Sequence, residues 1–139
     1  MPRQYLEWQL HNQSYALAVE YCVDVQRKLA VVEIPHSEEW IQGIVNWRGD
    51  IVTVMDLSVL FTRGQKSIDM PPIIMRLQYK GEVIAIGVDE IYEVLDVEEA
   101  QIQSSDKFLS VQEARYITSV IQKEQKLLLV PDLKKIFSI

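Results

Sequence analysis

Apolar residues in this chain recur mostly at every second position, in short runs broken by turn-forming residues. Residues 5–10 and 74–79 alternate around polar positions. Each run leads into a two-residue turn signal, His11-Asn12 or Lys80-Gly81, and then into a second apolar run, which predicts two hairpins. Further runs dense in Val, Ile and Leu, at 43–47, 51–55, 116–122 and 127–130, raise the expected total to about ten strands. Helical periodicity is confined to short turns such as 37–41, so a doubly wound α/β fold would lack its crossover helices.

The runs also repeat. WIQGIVNWRGDIVTVMDLSVLF (40–61) lies over YITSVIQKEQKLLLVPDLKKIF (116–137) without a gap, setting Ile41 over Ile117, Val54 over Val130 and Phe61 over Phe137. Upstream, LEWQLHNQSYALAVEYCVDV (6–25) lies over MRLQYKGEVIAIGVDEIYEV (75–94), pairing Gln9 with Gln78 and Ala16 with Ala85. The offsets are 76 and 69 residues, so copy two (about 74–137) carries a net seven-residue insertion relative to copy one (about 5–61), expected in the polar segment 98–114. Two small barrels, one per copy, are expected within a single domain spanning 1–139. Both copies close on Asp-Leu-x-x-x-Phe, where Asp56 and Asp132 are expected to cap short helical turns. A carboxylate repeated at equivalent places argues for architecture rather than for a catalytic pair.

Composition narrows the function. The chain has 139 residues, 48% of them apolar, and a net charge of −6, with fourteen Lys and Arg scattered among twenty Asp and Glu. That balance suits a compact domain and disfavours nucleic acid, which needs a basic face. The single cysteine, Cys22, excludes an internal disulfide and paired-Cys zinc sites. The N-terminal MPRQYLEWQL has no apolar export segment, and no apolar run reaches membrane-spanning length, so a cytoplasmic protein without direct membrane insertion is expected. Arg48-Gly49-Asp50 spells an adhesion tripeptide that only an extracellular protein would use. His36-Ser37-Glu38-Glu39 reads as a solvated helix start, and Cys22 as an unexceptional strand thiol.

If duplication accounts for the scaffold, function is to be sought where it fails. Trp47-Arg48-Gly49-Asp50 has as its counterpart Lys123-Glu124-Gln125-Lys126, read as an ordinary polar loop. With Gly49-Asp50 as a two-residue turn, Arg48 would face Ile51 and Trp47 would face Val52. Val45, Trp47, Val52 and Val54 would then point to the core, and Ile44, Asn46, Arg48, Ile51, Thr53 and Met55 would form a mixed face with a cation at its tip, of the composition found at protein interfaces.

GIVNWRGDIVTVMDL (43–57) resembles the Gly-Val-x-Asn-Leu-Arg-Gly-x-Ile-Val-Pro-Val-x-Asp-Leu signature of CheW-like adaptors of bacterial chemotaxis, and VIAIGVDEIYEVLDV resembles that family's Val-Asp-x-Val-x-x-Val segment. The resemblance implies an all-β fold of two intertwined SH3-like five-stranded β-barrels with short helical turns, no catalysis and no cofactor. It implies two partners, the regulatory domain of a CheA-like histidine kinase and the cytoplasmic tip of a chemoreceptor. It maps the partner surface onto Arg48, Trp47, Asn46 and Gly49, and a second patch onto Cys22 and Asp24. The chain departs from the signature at Trp47 and Thr53, and from the second copy's usual pattern at Ser119 and Pro131. Trp47 allows an alternative adaptor role in a twitching-motility or other chemosensory-like pathway. A small-molecule-binding or enzymatic double barrel is the alternative of a different class, and it requires a pocket with convergent polar groups.

Overall fold

In the computed structural model, which describes residues 2–62, 71–111 and 114–139, the alternating runs turn back on themselves wherever two residues can take left-handed backbone. His11 and Asn12 (φ 49° and 65°) join β1 (Arg3–Leu10) to β2 (Gln13–Ala18), and Lys80 and Gly81 (φ 49° and 82°) join β6 (Ile73–Tyr79) to β7 (Glu82–Val88). These are the turns whose twist matches a hairpin, and both fall where the sequence places them. The remaining strands are β3 (Cys22–Arg27), β4 (Ile41–Trp47), β5 (Asp50–Met55), β8 (Glu90–Val97), β9 (Ile102–Ser104), β10 (Ile117–Lys123) and β11 (Lys126–Pro131). Two short α-helices, α1 (Leu57–Thr62) and α2 (Leu133–Phe137), and three single 3-10 turns at Val19–Tyr21, Glu99–Gln101 and Ser105–Lys107 complete the described elements. Among the described residues, no helix is long and apolar enough to cross a membrane.

The strands form two sheets, in the orders β8-β1-β2-β11-β10-β9 and β3-β6-β7-β5-β4. Each sheet is the frame of one of two compact units, and the fold is all-β and SH3-like. The expectation of one barrel per copy is corrected. Copy one's first hairpin, β1-β2, lies in the unit that holds copy two's β8, β10 and β11, while copy two's first hairpin, β6-β7, lies with β3, β4 and β5. The join is a parallel one, β11 to β2 in one unit and β5 to β7 in the other. A parallel neighbour cannot be reached by a tight turn, so it is drawn from elsewhere in the chain. The crossing between sheets is abrupt, since β7 ends at Val88 and β8 begins at Glu90.

The two cores use equivalent residues. Tyr5, Ala16, Ile121, Leu128 and Val130 are buried in one cluster, and their counterparts Ile74, Ala85, Val45, Val52 and Val54 in the other. The count of five strands per barrel holds for one unit only. In the other, β9 makes a sixth strand inside the polar segment expected to be a loop, pairing Gln103 with Val120. The matching place in the second unit is a single bridge, Val32 to Ile44. Residues 112–113 of that segment lie outside the described residues.

The closing aspartates sit in matched frames. The Asp56 N–H donates to the Trp40 carbonyl and the Asp132 N–H to the Tyr116 carbonyl, each at 2.7 Å. Asp132 Oδ1 accepts from the Lys135 N–H at 3.2 Å at the start of α2. Buried Asp56 accepts at Oδ1 from the Ser58 N–H at 3.1 Å and also from the Ser58 hydroxyl. Both carboxylates therefore receive helix-start donors that would otherwise lack partners.

Candidate functional site

The β4–β5 hairpin turns one residue earlier than the sequence suggests. Trp47 pairs with Asp50, so Arg48 and Gly49 are the central residues, at φ 53° and 95°. A glycine serves either the first position of one hairpin turn type or the second position of the other. Here Asn46 decides between them, because its Oδ1 accepts the Gly49 N–H at 2.8 Å and ties the second position down. The register moves by two residues and the faces survive. Val45, Trp47, Val52 and Val54 are buried, whereas Asn46, Arg48 and Ile51 are exposed. Met55, expected on the mixed face, is buried.

Asp24, on β3, gathers the two expected patches into one place. Its Oδ1 accepts the Val25 N–H at 2.8 Å; its Oδ2 accepts the Trp47 indole N–H at 3.2 Å and lies 3.5 Å from the Arg48 guanidinium. The Val25 amide bond, then the indole bond, then the Arg48 and Arg76 charges outweigh burial and hold this carboxyl below its ordinary 3.8. It stays an anion near neutrality. The Trp47 ring is 2% exposed and lies in the core, on the face where the alternation places it, and its indole N–H reaches Asp24. Cys22 is half-buried, and burial followed by the Asp24 charge pushes its thiol up to about 11, away from nucleophilic use. Arg48 stands out from this base with its side chain 74% exposed.

A further residue, Arg76 on β6, was not among those the sequence singled out. It pairs with Asp24 in the β3–β6 ladder, and its Nη2 lies 3.4 Å from Asp50 Oδ2. Its guanidinium carbon sits 5.9 Å from the centroid of the Trp47 ring. One signal could have found it: Arg76 is a lone arginine in the apolar run IIMRLQY, and its counterpart in copy one is the oppositely charged Glu7.

The counterpart tip, β10–β11, is no ordinary polar loop. Lys126 Nζ lies 2.6 Å from Glu7 Oε2, and Lys123 Nζ lies 3.1 Å from Glu7 Oε1 and 3.2 Å from Glu93 Oε1. Burial alone would raise the Glu7 carboxyl, but the hydrogen bonds and charges of Lys126 and Lys123 hold it below its ordinary 4.5. The Glu7 bond is also the main reason Lys123 is held above 10.5.

An exposed guanidinium on a braced hairpin, with one carboxylate partner, keeps donors free for a second acceptor. The CheW-like domain family model matches residues 4–139. The chain belongs to that family. A chemotaxis protein CheW of Klebsiella aerogenes is 26% identical to this CheW-like chain over 136 residues, covering 98% of this chain and 82% of the relative. The chemotaxis protein CheW of Thermotoga maritima is 25% identical over 134 residues, covering 94% and 85%. The crystal structure of the scaffolding protein TtCheW from Thermoanaerobacter tengcongensis superimposes with a TM-score of 0.82 at 23% identity, covering 94% of this chain and 89% of that one. That likeness shows that the CheW-like fold is shared.

Proposed function

We propose that this chain is a non-enzymatic, cytoplasmic adaptor of bacterial chemotaxis that couples the cytoplasmic tip of a chemoreceptor to the regulatory domain of a CheA-type histidine kinase. Membership of the CheW-like family and relatives named as chemotaxis proteins support the pathway. The observation that carries the docking role is the Arg48 guanidinium, exposed at the apex of a left-handed turn and aimed by Asp24. Asn46 and Gly49 fix that turn, and Cys22 precedes Asp24 on β3. Arg and exposed aliphatic residues such as Ile51 suit an interface anchor. Receptor state would reach the kinase only as a difference in contact energy between kinase states.

Arg48→Glu tests this reading. The hairpin is expected to keep its fold, since Arg48 is solvated, while affinity for at least one of the two partners falls about tenfold or more. Titrations of the kinase regulatory domain and of a receptor-tip fragment that both match the unsubstituted protein would defeat it. An adaptor role in a twitching-motility or other chemosensory-like pathway, with different partners recognised through Trp47, is the second reading, and co-purification of partners separates the two.

A further inference from the structure

The geometry points to Arg76 as a positioning residue for the Arg48 tip: it occupies Asp50 and the face of Trp47, leaving Arg48, among the described residues, to its ion pair with Asp24. The inference rests on the docking role proposed above. Four charges meet under and at this tip, Arg48 and Arg76 against Asp24 and Asp50. They form two close ion pairs, Arg48 with Asp24 at 3.5 Å and Arg76 with Asp50 at 3.4 Å, and the Arg76 charge also acts on Asp24.

The two arginines are not interchangeable. Arg76 has a side chain only 19% exposed, and its buried Nε has no hydrogen-bond partner among the described residues. It is held in place by the ring beneath it and by Asp50, and it comes from β6, a different strand from those that carry the tip. It thus touches β4 through Trp47 and β5 through Asp50, and it is paired in the ladder with Asp24 of β3. Without it, Asp50 is left as a second anion beside the apex. A guanidinium shared between two local carboxylates has fewer donors for a partner, and the tip carries one more negative charge.

The test uses the full chain, with the kinase regulatory domain and a receptor-tip fragment as probes. Arg76→Met is expected to weaken whichever complex Arg48→Glu weakens, by about tenfold. Adding Asp50→Asn is expected to recover affinity to within about threefold, because the competing carboxylate is then neutral. A purely structural role would not be rescued by removing Asp50. Arg76→Gln carries the same expectations where Arg76→Met does not fold. A partner-free measurement accompanies these, hydrogen exchange at the Trp47 indole N–H, which is expected to speed about tenfold in Arg76→Met. Unchanged affinity in Arg76→Met while Arg48→Glu binds weakly overturns the inference, as does a loss that Asp50→Asn leaves in place. If Arg48→Glu binds both probes normally, the docking reading has failed instead. The indole then decides: faster exchange supports Arg76 as the brace of the tip, and unchanged exchange overturns it.

Discussion

At the β4–β5 tip the apex residue is Arg48 and the charge beneath it is Arg76; at the β10–β11 tip the equivalent residues are Glu124 and Glu7. The outgoing strands begin with Asp50 in one and Lys126 in the other, so the pair under each hairpin is conserved in place and reversed in sign. Even the left-handed apex is shared, at φ 53° for Arg48 and 56° for Glu124. That conformation belongs to the turn type and is no mark of function. The tips also differ at the position before the apex. Where the β10–β11 tip has Lys123, which closes on Glu7, the other has Trp47, which enters the core and offers only its indole N–H to Asp24. One tip spends both of its lysines on a carboxylate that is 2% exposed, and the other leaves a cation on display.

The largest contrast between the units is expected toward the other end of β4 from its tip. A side chain at Gly43 would place its Cβ 2.3 Å from the Val32 carbonyl oxygen, against the bridge that Val32 makes with Ile44. The equivalent residue, Ser119, already carries a side chain beside the regular β9 pairing. Gly43→Ser is therefore expected to cost about 3 kcal/mol, and Ser119→Gly about 1 kcal/mol or less. Urea midpoints measure both, and equal costs would remove this difference between the frames.

Next comes the buried charge. Glu7→Gln leaves two ammonium groups without their shared anion, but both can turn toward water, so a cost of about 2–3 kcal/mol is expected. Arg76→Met strands only Asp50, which is 70% exposed, and about 1 kcal/mol is expected. Chemical denaturation should rank them in that order. The reverse ranking would show that the tryptophan contact, and not the ion pair, braces these hairpins.

The sign of the pH dependence separates the lysine-closed tip further. Glu7 titrates lower in the folded chain than its ordinary 4.5, so its contribution is complete above that value and disappears as pH falls through the folded value. Lys123 titrates higher than 10.5 when folded, so its contribution is complete below that value and disappears as pH rises through the folded one. The stability excess of the unsubstituted protein over Glu7→Gln should thus form a plateau between about 4.5 and 10.5 and shrink on both sides. A flat difference across the acid limb would mean that the carboxylate is not the group that matters.

Much of this frame was readable from local pattern. The hairpins at His11-Asn12 and Lys80-Gly81, the buried faces of β4 and β5, and the alternation of the cores depend on neighbours two residues apart, which a sequence displays directly. Three things were not. The exchange of first hairpins between units depends on strands with equivalent faces choosing between equivalent partners, and pattern alone does not rank those choices. The tip register turned on one side-chain bond, from Gly49 to Asn46. The ion pairs join residues 26 positions apart at Arg76 and Asp50, and 119 apart at Glu7 and Lys126, so each member reads alone as a solvated charge. Comparing the copies position by position, rather than only at the tip, would have exposed the reversal.

The smallest expected effect bears most directly on how Arg48 is presented. Left-handed backbone at a non-glycine residue costs about 1 kcal/mol, and both apices carry it. At the β4–β5 tip Asn46 offsets part of that cost through its bond to the Gly49 N–H. The counterpart of Asn46 is Gln122, one methylene longer. Asn46→Gln is accordingly expected to lower stability by only about 0.5 kcal/mol, while the Gly49 amide exchanges faster and Arg48 samples more directions. Affinity for the docking partner should then fall more than stability does, because binding must restore the ordered apex that the native side chain supplies in advance. Equal falls in the two quantities would place Asn46 in the scaffold alone, and leave the direction of Arg48 to Asp24 and Arg76.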